Sequence, residues 1–189
     1  MRWRLAANGR YSAKSTYAAF FFGRMAAPCA REIWTAGAPL SLKLHMWLAL
    51  KNRLWTADRL QKRGMQHPPV CPLCSQEPEN AEHLLVRCVF MREVWFSVLQ
   101  QLGLQGFTPA PDAMATQWWT NLVATIPTKQ KRKEANGLVI LTARMIWLER
   151  NSRVFDRVVS SAAQVCDRIR QEFALWATAG LRGSGGGVE

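Results

Sequence analysis

The stretch CPLCSQEPENAEHLLVRC, residues 71–88, decides how the chain is organised. It places Cys71, Cys74, His83 and Cys88 in the spacing C-x2-C-x8-H-x4-C. Three thiolates and one imidazole are a ligand set that closes a tetrahedral structural zinc site. The two-residue gap lets one turn present both sulfur atoms to a single ion, and Pro72 fixes φ inside that turn. The spacing therefore predicts one structural Zn²⁺ held by these four side chains.

Two simpler interpretations of this segment stay open. The first takes the thiols as a coincidental cluster of reduced core cysteines, and the second takes Cys71 and Cys74 as a redox disulfide. No βαβ pattern surrounds the C-x2-C pair, which weakens the redox interpretation. Four protein ligands leave no coordination position for water or substrate, so the metal is expected to stabilise the fold and not to catalyse a reaction.

The second half of the motif constrains the local backbone. On an ideal α-helix, His83 and Cys88 would point about 140° apart, because each residue turns the helix by about 100°. One unbroken helix would therefore serve both ligands poorly. We expect a short helix from about Glu79 to Val86 or Arg87, with Cys88 on the next turn.

Composition and charge limit the class of protein. The chain has 189 residues, of which 49% are hydrophobic, so it is one domain or two small ones with a sizeable core. No apolar run of 18 residues occurs, which predicts no membrane span. The five cysteines form no framework outside the motif, which predicts a reducing compartment. We expect the nucleus, with the cytoplasm as the alternative.

The net charge of +12 is unevenly distributed. Residues 1–64 hold 12 basic and 2 acidic residues, a net charge of +10, whereas residues 65–108 carry −2 and residues 109–189 carry +4. Such asymmetry favours a polyanionic partner, most often nucleic acid. The alternative is a basic surface that only aids solubility.

The pattern along the chain predicts a mainly α fold. Asn8-Gly9 predicts a small N-terminal β-hairpin over residues 2–12, and helices surround the zinc site. Between Leu40 and about Leu54, one helix carries an apolar stripe that includes Leu44, Trp47 and Leu48; His45 on it is expected to be exposed or half-buried. We predict a zinc-binding domain over residues 1–103, a bundle-like helical region over residues 104–180 and a disordered tail over residues 181–189.

Basic residues near the motif are the candidate nucleic-acid contacts. The first cluster lies just before the metal loop, and the second surrounds the predicted hairpin; together they are Arg53, Arg59, Lys62 and Arg63, then Arg2, Arg4, Arg10 and Lys14. The segment TKQKRKE contributes Lys129, Lys131, Arg132 and Lys133. These four residues suit a nuclear-import signal, a phosphate-binding patch or a solvated first helical turn.

Several landmarks occur in a characteristic order: GRYSAKSTY, then EIWTAGAPLSLKLHMWLALKNRLWTADRLQKRG, then the Cys/His motif, then REVW. Over about residues 3–96 this order resembles the reverse-transcriptase zinc-binding domain of plant LINE-type (non-LTR) retroelements. The resemblance places the family's metal ligands on Cys71, Cys74, His83 and Cys88, with Glu79-Asn80 at the position of an acidic and a small polar residue. The later IWLERNSRVF is similar to the segment that often comes next in those elements.

The resemblance implies a non-catalytic, zinc-stabilised module that holds template RNA or target DNA, and it implies RNA or DNA, together with a reverse-transcriptase domain, as partners. The polymerase's paired aspartates are absent from the sequence. We therefore expect no enzymatic activity and no small-molecule substrate. The chain is expected to be a retroelement remnant, an exapted piece or part of a longer element. The alternative function is a protein-interaction or structural module without nucleic-acid binding.

Overall fold

The computed structural model describes Ser12 and residues 28–178, and this part of the chain is helical. Seven α-helices occur in it, in this order: α1 Ala30–Thr35, α2 Leu40–Leu50, α3 Ala57–Gln61, α4 Val89–Gln100, α5 Ala115–Ala124, α6 Lys129–Asn151 and α7 Ala162–Thr178. Two π-helical segments, His83–Arg87 and Ser152–Asp156, and one 3-10 turn, Gln105–Phe107, complete the regular structure. No strand occurs within residues 28–178, so the predicted mainly α class is confirmed for them. The predicted hairpin and tail lie outside the described residues.

Helix α6 is the central element of the core. Residues 135–143 of this helix are buried on every side, which is typical of a helix surrounded by other elements. Helices α1, α2, α5 and α7 all pack against it. Residues on both sides of Gly103 contribute to this one core, including Trp95 from α4 and Trp119 from α5. The proposed domain boundary near Gly103 stays a prediction.

The polar atoms of the buried tryptophans have specific partners. Trp95 donates its indole N–H to the carbonyl oxygen of Leu85 at 2.9 Å, and Trp119 donates to Oδ1 of Asn136 at 2.9 Å. A buried indole N–H is costly without such a partner. These bonds therefore fix α4 against the metal segment and α5 against α6.

A close backbone contact joins the α1–α2 connection to α6. The amide of Gly37 donates to the carbonyl oxygen of Lys133 at 3.0 Å. A Cβ atom built at Gly137 would lie 2.6 Å from the carbonyl oxygen of Gly37. Only glycine at position 137 permits this approach, since real Cβ contacts are longer.

The apolar stripe of helix α2 predicts that the stripe faces the core, but the helix has the opposite orientation. Leu40, Leu44, Trp47 and Leu48 are exposed, whereas His45, Met46 and Ala49 are buried. The prediction for His45 is wrong: only 9% of this residue is exposed, and its ring lies 6.1 Å from that of Trp147 in α6. Leucines and a tryptophan repeat with the helical period on the outer face, so hydrophobicity alone selects the wrong face.

Across the described residues, no helix has the length and apolar character required to span a membrane.

Candidate metal centre

The structure brings the four predicted ligands together. The ligand atoms of Cys71, Cys74, His83 and Cys88 all lie within 4.8 Å of one another. Tetrahedral zinc with Zn–S bonds near 2.3 Å would separate two sulfur atoms by about 3.8 Å. Nε2 of His83 is 3.4 Å from Sγ of Cys74, close to the separation of two ligands on one ion. The cluster can therefore hold a metal ion, and all described cysteines are free thiols.

A tight turn presents the first pair of thiols. The amide of Ser75 donates to the carbonyl oxygen of Cys71 at 2.8 Å, and Ser75 has a left-handed φ of 55°. The amide of Cys71 in turn donates to the carbonyl oxygen of Glu77 at 2.7 Å. These bonds fold residues 71–77 back on themselves, so both thiols of the pair face the same point.

A π-helical segment aligns the second pair of cluster residues, His83 and Cys88. A π-helix has hydrogen bonds between residues i and i+5, which is the spacing of His83 and Cys88. The amide of Cys88 donates to the carbonyl oxygen of His83 at 2.8 Å. The segment ends at Arg87, and Cys88 has an extended conformation with φ −56° and ψ 132°. The predicted helix end is thus correct, but the wider turn that aligns the two ligands has no clear signature in the sequence.

Asn80 positions the histidine. Its side-chain oxygen accepts a hydrogen bond from the amide of His83 at 2.8 Å. A side-chain acceptor three residues upstream satisfies a donor that the first turn of a helix leaves free. The small polar residue that precedes the histidine therefore caps the segment that carries it.

The thiols and the imidazole of the cluster shift one another's pKa values. A hydrogen bond with Cys88 is the largest influence on Cys71, and together with the bond to His83 it outweighs burial and lowers the pKa of Cys71 to about 4. The same interaction and burial raise the pKa of Cys88. Burial alone would lower the pKa of His83, but the bonds and charge of Cys71 and Cys74 raise it to about 9. Without metal, the closely spaced thiols and the imidazole of the cluster therefore share protons. A bound cation would replace these protons.

A carboxylate lies behind the histidine. Oε2 of Glu77 is 3.4 Å from Nδ1 of His83, a distance at which the two attract although they lack the alignment of a hydrogen bond. Carboxylates that face the outer nitrogen of a ligating histidine orient the ring and raise its basicity. Glu77 is therefore placed to support His83 from outside the cluster.

Helix α6 and its continuation hold the metal segment from the other side. Nη1 of Arg153 donates to the carbonyl oxygens of Pro72 and Leu73, at 3.2 and 3.0 Å, within the Cys71–Cys74 turn. Nε of Arg153 also donates to Glu149 at 2.9 Å. The IWLERNSRVF segment thus clamps the metal turn, a role that its spacing along the sequence does not reveal.

Two carboxylates of the metal segment cap distant helices. Glu79 accepts from the amide of Ala57 at 2.8 Å, at the start of α3. Glu82 accepts from the amide of Ala115 at 2.8 Å, at the start of α5. Negative charge at a helix N-terminus is stabilising. The mildly acidic character of this segment therefore has a structural cause.

The basic residues before the metal loop form an exposed surface around α3. Arg53, Lys62 and Arg63 are exposed, and Arg59 is half-buried. The guanidinium of Arg63 lies 4.4 Å from the ring centre of Trp55, and Lys62 pairs with Asp58 at 3.4 Å. We call these residues the α3 surface: Arg53, Trp55, Arg59, Lys62 and Arg63. The other predicted cluster, Arg2, Arg4, Arg10 and Lys14, lies outside the described residues.

The comparison with known families agrees with the ligand geometry. Residues 11–95 match the family described as zinc-binding in reverse transcriptase. The resemblance to the reverse-transcriptase zinc-binding domain is therefore confirmed. The matched residues include all four ligands and the α3 surface, whereas α5, α6 and α7 lie beyond them.

One curated relative extends the comparison. The chain is 23% identical over 111 residues to a protein of Arabidopsis thaliana whose name refers to ribonuclease H. The match covers 57% of this chain but only 18% of that longer protein. No solved structure matches the chain significantly.

Proposed function

We propose that this protein is a non-catalytic, zinc-stabilised module that binds nucleic acid next to a reverse transcriptase. The observation that carries the proposal is the position of the α3 surface, directly before the Cys3His cluster in the chain. Its exposed cations and the exposed ring of Trp55 provide the two components of single-strand binding, phosphate contacts and base stacking. The family description and the net charge of +12 support the same conclusion.

In this proposal one Zn²⁺ has a structural role. The donor set of three thiols and one imidazole fits zinc and fills its tetrahedral shell with protein ligands. When bound, the ion would offset most of the negative charge of the thiolates and would join the Cys71–Cys74 turn to the π-helical segment. The chain's own residues then position the α3 surface, because Glu79 links the metal segment to the start of α3.

The nucleic acid is template RNA or target DNA of a LINE-type (non-LTR) element of plant origin, and the protein acts in the nucleus, with the cytoplasm as the alternative. The relative from Arabidopsis is a longer protein of which this chain covers 18%, so a neighbouring reverse-transcriptase domain is part of the proposal. No small molecule is needed for this role.

Binding of labelled single-stranded RNA and duplex DNA to the zinc-loaded chain, over a salt series, tests the proposal. We expect affinity to fall steeply with salt, and the Arg53→Gln/Lys62→Gln/Arg63→Gln variant to reduce the salt slope by about 0.7–0.9 for each phosphate contact that it removes. The Trp55→Ala variant should weaken single-strand binding more than duplex binding. Absence of binding by the zinc-loaded parent protein at low salt would refute the proposal.

A second candidate function is supported by the outer face of α2. Leu40, Leu44, Trp47 and Leu48 expose a continuous apolar stripe, a feature typical of protein contacts. In this alternative the stripe docks onto the reverse-transcriptase domain without nucleic-acid binding. Association with that domain that is abolished in Trp47→Ser, and that is insensitive to salt, would favour it.

The buried tryptophans further along the chain do not add to this alternative. The high tryptophan content of residues 94–176 suggests a docking surface from sequence alone, but Trp95, Trp119 and Trp176 are buried in the core. The exposed stripe of α2 is therefore the observation on which the alternative depends.

A further inference from the structure

A second basic surface lies away from α3. An open groove of about 850 Å³ runs between α1, the end of α5 and the first turns of α6. Its basic lining residues come from two separate parts of the sequence: Arg31 from α1, and Lys129, Arg132 and Lys133 from α6. We call it the α1–α6 groove. Among its described lining residues Glu32 alone is acidic, so the groove has a strong positive charge.

These cations are not neutralised within the part of the chain that the structure describes. None of the four basic side chains takes part in an ion pair with a described carboxylate. By contrast, Arg150, Arg153 and Arg168 are each paired with a buried glutamate. The groove therefore concentrates positive charge that the fold itself leaves available.

The tertiary structure adds charge to this cluster. Lys43 of α2 donates to the carbonyl oxygen of Trp34, within α1, at 3.2 Å. Burial and the neighbouring charge of Lys133 lower the pKa of Lys43. Like charges repel each other, and an anion bound near both lysines would relieve the repulsion.

The stability of α6 itself does not explain why the residues at its start are basic. The first turn of α6 contains no acidic residue, although acidic residues are favoured there and basic residues are not. Thr128 provides the cap by accepting from the amide of Lys131 at 3.3 Å. The residues at this end of α6 thus suit an external anion better than they suit the helix itself.

We propose that the α1–α6 groove binds the phosphodiester backbone of a nucleic-acid strand. This inference rests on the proposed function and adds a second contact surface to it. Lys129 and Arg31 are exposed at the rim, while Arg132 and Lys133 are half-buried at the wall, an arrangement that suits an extended polyanion. Few of the described residues that line the groove are apolar, which argues against a small apolar ligand.

A matched pair of variants tests the groove. Lys129→Gln/Lys133→Gln removes two charges that line the groove. Lys131→Gln/Arg170→Gln removes two exposed charges that do not line it, one from the same helical turn. Glutamine has a helix propensity close to that of lysine and arginine, so both variants should fold. Binding of labelled single-stranded RNA, single-stranded DNA and duplex DNA is measured from about 50 to 400 mM salt with the zinc-loaded full chain.

The groove variant should bind about 100-fold more weakly near 50 mM salt, because each phosphate contact contributes about tenfold at that concentration. Its salt slope should fall by about 1.4–1.8, whereas the slope of the matched control should stay close to that of the parent. Equal weakening in both variants, or unchanged binding in the groove variant, would overturn the inference that the groove binds nucleic acid. Neither result would contradict the role proposed for the α3 surface. Absence of binding by the parent chain would refute the proposed function instead.

A competition arm separates nucleic acid from an acidic protein segment. Unlabelled poly-glutamate of equal charge is added to the complex at constant ionic strength. We expect weak competition, since poly-glutamate has no bases to stack on exposed aromatic rings and releases fewer condensed counterions than a nucleic acid does. Competition as effective as that of unlabelled RNA, and absent in the groove variant, would assign the groove to acidic peptides and overturn the inference.

Discussion

Arg150 and Glu79 form a fully buried, two-pronged ion pair. Nε and Nη2 of Arg150 donate to the two carboxylate oxygens of Glu79, at 2.9 and 2.7 Å. Their side chains are 2% and 0% exposed. The pair joins the metal segment to the end of α6, across 71 residues of sequence. It therefore links the Cys3His cluster to the helical region on its C-terminal side.

Removal of one partner of this pair should be strongly destabilising. Arg150→Met leaves the Glu79 carboxylate buried and without its guanidinium, which should lower the free energy of unfolding by about 3–5 kcal/mol. Denaturant unfolding of the zinc-loaded chain measures the change. The Glu79→Gln/Arg150→Met double variant should be less destabilised than the sum of the two single changes.

Arg170→Met provides the control for the ion pair. Arg170 pairs with Asp167 on the exposed side of α7, and surface pairs contribute about 0–1 kcal/mol. Additive effects of the two single changes at Glu79 and Arg150 would contradict the coupling that the structure indicates.

The position of the Cys3His cluster predicts that cysteine substitutions inside and outside it differ in their effect on zinc binding. Cys74→Ser removes a ligand and should abolish stoichiometric zinc binding, measured by elemental analysis after dialysis. At a free zinc concentration about 1,000-fold above Kd the ion stabilises the fold by about 4 kcal/mol, so the Tm should fall by about 8–16 °C. Cys166→Ser is the control, because Cys166 is buried beside Val94 and outside the cluster, and it should retain zinc. Equal zinc content in parent and Cys74→Ser would exclude the cluster as the metal site.

The burial of His45 predicts that the stability of the fold depends on pH. Burial, assisted by the charge of Arg144, lowers the pKa of His45 from 6.5 to about 4. The unfolded chain therefore takes up the proton first, and stability falls as the pH drops from about 6.5 towards 4. At pH 5 this decrease amounts to about 2 kcal/mol relative to neutral pH.

The His45→Leu variant isolates this effect. Since the Cys3His cluster also titrates, parent and variant are compared at each pH, and the difference between their unfolding free energies is the quantity of interest. That difference should shift in favour of the variant by about 2 kcal/mol between pH 7 and pH 5. Parallel pH profiles would mean that His45 is not buried in its neutral form.

The contact between Gly37 and Gly137 predicts a steric penalty. In Gly137→Ala the new methyl group would lie 2.6 Å from the carbonyl oxygen of Gly37, a backbone atom that cannot rotate away. We expect a decrease of about 1–3 kcal/mol in the free energy of unfolding, although alanine is otherwise the better helix former. Gly106→Ala is the control, since nothing lies within 4 Å of the position its Cβ would occupy. A stabilised Gly137→Ala variant would contradict this close packing.

The Cys3His cluster was predictable because its chemistry is local. Cys71 and Cys74 need only one turn, and a histidine and a third cysteine complete a recognised donor set within 18 residues. The end of the segment at Arg87 was also predictable, since an α-helix cannot align His83 with Cys88. The π-helical turn was not, because its wider hydrogen bonds depend on support from the packed core.

The orientation of α2 illustrates the opposite case. Its outer stripe is as hydrophobic as a core face, and the sequence offers no reason for the less apolar face with His45 and Ala49 to be buried. The buried face of α2 is decided by α6, which is covered on every side over residues 135–143 and whose Trp147 packs against His45. Periodicity identifies the faces of a helix, and only the packing partners decide which face is covered.

By itself, the sequence determined the helical class of the described residues, the four-residue donor set and the resemblance to a reverse-transcriptase zinc-binding domain. These depend on residue type and short spacing. The tertiary structure alone decided that Arg150 and Arg153 hold the metal segment, that Glu79 and Glu82 cap distant helices, and that Arg31 joins Lys129 and Lys133 around one groove. The reason is physical: each of these contacts joins residues far apart in the chain, and only the packing of helices against α6 brings them within reach of one another.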